Sequence, residues 1–171
     1  MGHFNNITDF LNIYTLITFL ITFVAASVAC FGFLYFFFRK EIRLFKNRKR
    51  PIMIFKSAGE DMELETKLLR DSKLFNIPEE PTDKPQNIDR INEHSLIIIG
   101  YSSEMSASDF DQIYSGAKNA GIPVIIYSKN RIPENVFKKL RDYSWYSICQ
   151  VPLRLLNDVF TILSTFPHSK K

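Results

Sequence analysis

The sequence predicts an α/β protein. A single N-terminal transmembrane helix is followed by a small parallel-sheet domain, Rossmann-like or flavodoxin-like, on the cytoplasmic side. Three observations carry this expectation. Residues 10–38 contain no Asp, Glu, Lys, Arg or His. A block of cations follows directly, over residues 39–50. Beyond Pro51, short apolar runs alternate with amphipathic ones. Strands taking turns with helices give a parallel sheet covered on both faces.

The apolar run comes first. At about 1.5 Å per residue it makes a helix roughly 43 Å long, against a hydrocarbon core of about 30 Å. Its backbone must satisfy its own hydrogen bonds in lipid, so the span is helical. The flank RKEIRLFKNRKR carries seven basic residues and one acid, Glu41, whereas the first nine residues contain no Lys or Arg. Basic residues stay in the cytoplasm. This places residues 1–9 outside, 10–38 across an inner or plasma membrane, 39–50 as a basic juxtamembrane helix, and 51–171 as the cytoplasmic domain. The start lacks positive charge and the run is long for a signal peptide, so an uncleaved anchor is expected.

Small and hydroxylated residues in the span form a stripe. Thr15, Thr18, Thr22, Ala25, Ala29 and Gly32 step by three and four, the seam spacing of packed helices. Helices in lipid associate through close approach over small residues, so the stripe predicts self-association. The same stride continues through Phe36 to Arg39, Arg43, Lys46 and Arg50. In a ring of unbroken helices these cations would form a basic mouth that favours anions. The other reading is topology alone: common span residues, followed by cations that orient the chain and bind lipid.

The formal net charge is +4. Residues 51–171 hold 15 basic and 16 acidic residues, so the basic character is local to the membrane surface. A nucleic-acid-binding face on the domain is not expected. Cys30 and Cys149 give no disulfide framework, and His3, His94 and His168 have no zinc-type spacing.

Within the domain, residues 51–56 read as a first strand and 60–75 as a helix with Met62, Leu64, Leu68 and Leu69 inward. Residues 76–94, with Pro78, Pro81 and Pro85, read as an extended loop with one helical turn near 88–93. Residues 95–101 are the clearest strand, apolar without alternation. Ser106 or Ser108 caps a helix that Gly121 ends. Strands over 122–128 and 145–151 and helices over 133–142 and 153–166 complete the order, with Leu155, Val159, Ile162 and Leu163 inward.

Ligands in such sheets bind outside the carboxyl ends of the strands. Those ends carry Lys56, Ser57, Gly59, Glu60 and Asp61, then Tyr101, Ser102, Ser103 and Glu104, then Lys129 and Asn130. Lys56, Ser57, Glu60, Tyr101 and Ser102 are the candidate ligand cleft; ordinary polar loops are the competing reading. The sequence has no dinucleotide or P-loop glycine motif and no nucleophile elbow. No catalytic residue, metal site or cofactor is expected.

Two resemblances add to this. The stretch SLIIIGYSSEMSASDFDQIYSGAKNAGIPVII resembles the core of a TIR domain, an NAD-cleaving or scaffold fold. That family places a glutamate after such a Ser and aromatic pair. Here Ser106 and Phe110 are followed by Asp111 and Gln112, which argues against NAD hydrolysis and leaves the likeness of fold. The layout as a whole, one span, a basic juncture and a small domain, resembles the membrane accessory proteins of type VI-B CRISPR systems. That resemblance implies an inner-membrane homo-oligomeric pore, depolarising the membrane after an RNA-guided ribonuclease partner finds viral RNA. The family's R-x4–6-H motif has its nearest counterpart in Arg90 to His94, one residue too short, so no ribonuclease chemistry is expected. The favoured expectation is a pore or gate in antiviral defence. The alternatives are a membrane-tethered TIR-like or nucleotide-sensing domain, and an adaptor that recruits a partner to the membrane.

Overall fold

The computed structural model describes residues 4–78, 80–83 and 90–167, with side chains from residue 13 onward. The expectations for His3 and His168 lie outside these residues, as does the first part of the turn expected at 88–93. The chain forms two compact units, Met1–Arg39 and Lys40–Lys171.

The first unit is essentially α1 (Phe4–Phe37). Within it Ile13–Phe37 is long and apolar enough to cross a membrane, and none of it is buried by the protein. Its large side chains stand free on every side: Phe19 is 70% exposed, Phe23 62% and Phe31 73%. A helix in water hides an apolar stripe and shows a polar one. This helix has no polar face to show.

The second unit begins with α2 (Arg39–Arg48), separated from α1 by Phe38, a turn residue. Four strands follow: β1 (Ile52–Phe55), β2 (Leu96–Gly100), β3 (Val124–Tyr127) and β4 (Tyr146–Cys149). They pair in parallel in the order β1-β2-β3-β4, with Ile54 opposite Ile98 and Ile98 opposite Ile125. The helices are α3 (Glu63–Asp71), α4 (Ala107–Ala120), α5 (Glu134–Leu140) and α6 (Pro152–Thr165). The apolar residues of β1, β2 and β3 are buried on both faces, as the unbroken Ile and Val runs require. One face packs Met53, Phe55, Ile97, Ile99 and Ile126 under α4 and α5. The other packs Ile52, Ile54, Ile98, Ile125 and Tyr127 under α3 and α6. Each such side chain contributes about 1.5–3 kcal/mol on leaving water.

The segment expected to be a loop does more than connect. Asn76 and Thr82 form parallel bridges to Pro51 and Phe55 on the free side of β1. Backbone bonds tie it down: Ile52 N to Asn76 O at 2.8 Å, Thr82 N to Ile54 O at 3.0 Å, and Lys56 N to Thr82 O at 2.8 Å. Its prolines confine it to an edge, where a missing N–H goes unnoticed. The chain therefore passes from β1 outward to this edge, then back across to β2. Strand order reverses between β1 and β2.

Helix ends follow the sequence signals. Ser106 Oγ accepts from Ser108 N at 3.2 Å, and Gly121 closes α4 at φ 65°. The inward face of α3 is a correction. Met62 and Leu69 are buried, but Leu64 is 72% exposed, and Glu65 and Thr66 are buried in its place.

Candidate functional site

A cleft of about 400 Å³ opens at the carboxyl ends of β1 and β2, lined by Lys56, Ser57, Asp61, Asp83, Glu104 and Asp109, among others. This is the point of strand-order reversal, where open parallel sheets bind ligands. The turn after β1 builds its floor. Ser57 and Glu60 exchange backbone bonds of 3.3 and 3.0 Å. Ser57 Oγ donates to Gly100 O at 2.8 Å and lies 3.0 Å from Ser102 Oγ. Ser102 Oγ in turn accepts from Glu104 N at 3.2 Å. The two glycines here are space requirements. A Cβ on Gly59 would sit 3.0 Å from the Ser102 side chain, and one on Gly100 would sit 2.6 Å from Met62 Cγ. Met62 itself is held in the left-handed region, at φ 60°.

Behind the cleft lies a buried ionic group. Glu60 and Glu65 are 3% and 1% exposed. Lys129 Nζ stands 2.7 Å from Glu60 Oε1 and 3.5 Å from Glu65 Oε1. Tyr127 OH donates to Glu65 Oε1 at 2.7 Å. Glu65 Oε2 and the neighbouring Thr66 Oγ1 take no hydrogen bond among the described residues. The hydrogen bond to Glu60 leads the effects that raise the Lys129 pKa, with partial burial opposing. Burial, then the hydrogen bond to Glu65, holds the Tyr127 phenol well above its ordinary value. Oxygens of Glu60, Asp61 and Glu65 lie within 4.8 Å of one another, a grouping able to hold a metal ion. Sequence reasoning placed Glu60, Asp61 and Lys129 at strand ends but missed Glu65. Its partner Tyr127 is 62 residues away, so no local pattern marks it.

Two buried carboxylates share one ammonium that is half exposed, and four further carboxylates, Asp61, Asp83, Glu104 and Asp109, line the cleft against one cation, Lys56. The N-terminus of α4 would by itself favour an anion. Asp109 already occupies its first turn. The chemistry of the cleft therefore suits a cation, or an anion that arrives with one, over a free phosphate.

The predicted cleft residues divide. Lys56 and Ser57 line it, and Ser102 forms its buried floor. Glu60 turns behind it to Lys129. Tyr101 does not join them: it is 9% exposed and packs edge-on against Phe110 at 5.7 Å. It follows β2 on the α4 side, where the pleat directs it into the core. At the TIR-like position, Asp111 forms an ion pair with Lys139 at the surface of the α4–α5 side.

The span and juncture residues also divide. Thr18 and Thr22 donate to Tyr14 O and Thr18 O at 2.9 and 2.8 Å, so their hydroxyls are satisfied within α1. Thr15, Ala25, Ala29 and Gly32 stand on the exposed surface of the same helix. The four cations do not form one free stripe. Arg43 Nη1 donates to Thr165 O at 3.1 Å and Arg50 Nη2 to Asn92 O at 3.0 Å, while Arg39 and Lys46 are exposed. The domain's own carbonyls claim alternate members of the row.

Compared with known protein families, with characterised proteins and with solved structures, the chain shows no match to any of the three.

Proposed function

We propose that this chain is a single-span membrane protein that holds a flavodoxin-like domain at the cytoplasmic face of the inner membrane and acts as an assembly of several copies. The observation that carries the reading is Ile13–Phe37, 25 residues with mean hydropathy 2.3 and no share buried by the protein. An apolar surface of that extent demands a cover, and the cationic flank gives the side. The flavodoxin-like reading rests on the edge bridged at Asn76 and Thr82, which, counted as a strand beside β1, gives the connections leaving β1 and β2 opposite directions. Self-association rests on the Thr, Ala and Gly stripe. A ring of such spans would permeabilise the membrane, the activity expected from the type VI-B resemblance in antiviral defence, with an RNA-guided ribonuclease acting upstream. Of the four cations, Arg39 remains to form its mouth, while Lys46 stands beside Ile42 and Phe45 on the outer face of α2. Leucines at Ala29 and Gly32 together would hold the helices apart. The test reads oligomer size by crosslinking and membrane potential by dye. Oligomer size and depolarisation both fall in the Ala29→Leu, Gly32→Leu variant, and unchanged values in both would end the pore reading.

A second reading is favoured by the cleft at the strand-order reversal. Here the span is a tether, and the domain senses or processes a ligand as a TIR-like or nucleotide-handling module. The acidic wall then calls for a metal-bridged nucleotide over a free one. Calorimetry of the full chain in detergent with nucleotide, with and without magnesium, separates the cases. Metal-dependent binding favours this reading, and no heat in either sets it aside.

A further inference from the structure

We propose that the outer face of α2 lies in the headgroup layer of an anionic bilayer, and that it fixes the domain with its cleft turned away from the membrane. The inference rests on α1 spanning that membrane. It begins from the two sides of α2. One side is committed to the domain. Asn47, 2% exposed, donates through Nδ2 to Leu163 O at 2.8 Å and Phe166 O at 3.2 Å. Arg43 reaches Thr165 O, and Leu44 packs on the α3–α6 core. The other side is apolar and uncovered. Ile42 is 46% exposed and Phe45 60%. With Lys46, Lys49 and Glu41 they line a shallow groove.

Helical spacing puts Ile42, Phe45, Lys46 and Lys49 on one stripe, roughly opposite the residues that face the domain. Cations frame the ring of Phe45: Arg48 Cζ lies 5.4 Å from its centroid and Lys49 Nζ 5.5 Å. A bulky apolar pair rimmed by lysine and arginine matches the boundary between acyl chains and phosphate headgroups. Basic residues there are drawn to anionic lipid. The stripe begins five residues after the end of α1, so a bilayer that holds α1 is within reach. Water would leave Ile42 and Phe45 exposed with no return.

The domain's geometry then sets the outcome. Asn47 and Arg43 bind the C-terminal carbonyls of α6, a helix running back along the sheet, at the end where the strands begin. Arg50 and the Asn76 bond to Lys49 O, 3.0 Å, hold the same end. The cleft lies where β1 and β2 finish. With α2 on the lipid, the strands point away from the bilayer and the cleft faces the cytoplasm.

The test uses the full chain reconstituted in vesicles. Trp145 is the lone tryptophan, so Trp145→Phe gives a silent background for Phe45→Trp, Leu64→Trp or Phe23→Trp. Vesicles of phosphatidylcholine and phosphatidylglycerol carry bromines at shallow and deep positions of the acyl chains as quencher. In these, Phe45→Trp emission is expected to shift to the blue and lose the larger part of its intensity. Leu64→Trp, on α3 at the cleft end, keeps its intensity. Adding Lys46→Glu and Lys49→Glu restores the Phe45→Trp signal. A Phe45→Trp emission as unquenched as Leu64→Trp, with Phe23→Trp quenched, overturns the proposal and leaves the face to water or a protein partner. Quenching that survives both glutamates also overturns it, because the charge match is then idle. If Phe23→Trp is unquenched too, the span reading itself has failed.

Discussion

The two units of this chain use the same apolar residues to opposite ends. In α1, Phe, Ile, Leu and Val point outward around the whole helix, and nothing in the protein covers them. In the α/β domain, Ile97, Ile98, Ile99 and Ile126 are fully enclosed, with helices above and below. The difference lies in what interrupts the apolar residues. The domain breaks its runs into pieces of four or five residues, and polar turns and amphipathic helices intervene. Each piece can be buried by its neighbours. The α1 run has no interruption, and its length and hydropathy suit a membrane span. The domain closes by folding; the described residues leave the surface of α1 uncovered.

The sharpest way to break this contrast is one charge placed in each unit. Ile98→Asp buries an unpaired carboxylate at the centre of the sheet and is expected to remove most of the domain's stability, about 3–5 kcal/mol or more. Phe23→Asp is expected to leave domain unfolding unchanged by circular dichroism and to weaken membrane insertion by about 2.5–3.5 kcal/mol. Coupled losses in both variants would mean the units are not independent. A smaller effect is expected at the ionic group. Lys129→Met strands Glu60 and Glu65, and the half-exposed ammonium it removes is discounted for solvent, giving about 1–3 kcal/mol in urea melts. Adding Glu60→Gln to it should recover part of that loss. Gly100→Ala pushes on the enclosed Met62 and is expected to destabilise by about 1–3 kcal/mol, where Gly32→Ala in α1 meets empty space and changes the domain not at all.

Alkaline pH acts on the domain. Burial pushes the Cys149 thiol from 9.0 up to about 12, and Tyr143 is pushed up to about 12 by burial as well. The folded state favours the neutral thiol. Its contribution is complete below the unfolded value of 9.0 and is lost as pH rises toward 12. A loss of about 2 kcal/mol from Cys149 by about pH 10.5 is expected, and Cys149→Val should not show that part. The smallest effect belongs to the surface. Lys139→Ala breaks an exposed pair with Asp111, and about 1 kcal/mol or less is expected.

How far the sequence reveals this molecule follows from where each signal is stored. The Ile run of β2, the Ser106 cap and the Gly121 stop are local, and the structure has all three. The edge at 76–82 was hidden because Pro78 and Pro81 read as loop, and only the bridges to β1 show their use. Leu64 and Glu65 exchanged places for a related reason. Apolar periodicity favours Leu64 inward, but a carboxylate can be buried when a distant Tyr127 hydroxyl meets it. Lys56, Ser57 and Ser102 were legible at the cleft because strand ends are local features. The meeting of Glu60, Glu65 and Lys129 was not, since it depends on how β1 and β3 are spaced across the sheet. The split of the cations, Arg43 and Arg50 inward and Lys46 outward, likewise depends on where α6 ends and where the turn before β2 lies.

The central claim is that α1 is completed by lipid and the α/β domain completes itself. Amide hydrogen exchange on the full chain in lipid nanodiscs tests both halves together. Amides over Ile13–Phe37 are expected to stay protected for hours in the bilayer, with β1 to β3 protected equally well in nanodiscs and in detergent. Rapid exchange across Ile13–Phe37 in nanodiscs, with the domain's strands still protected, would show that this helix is not held in the membrane and would contradict the account.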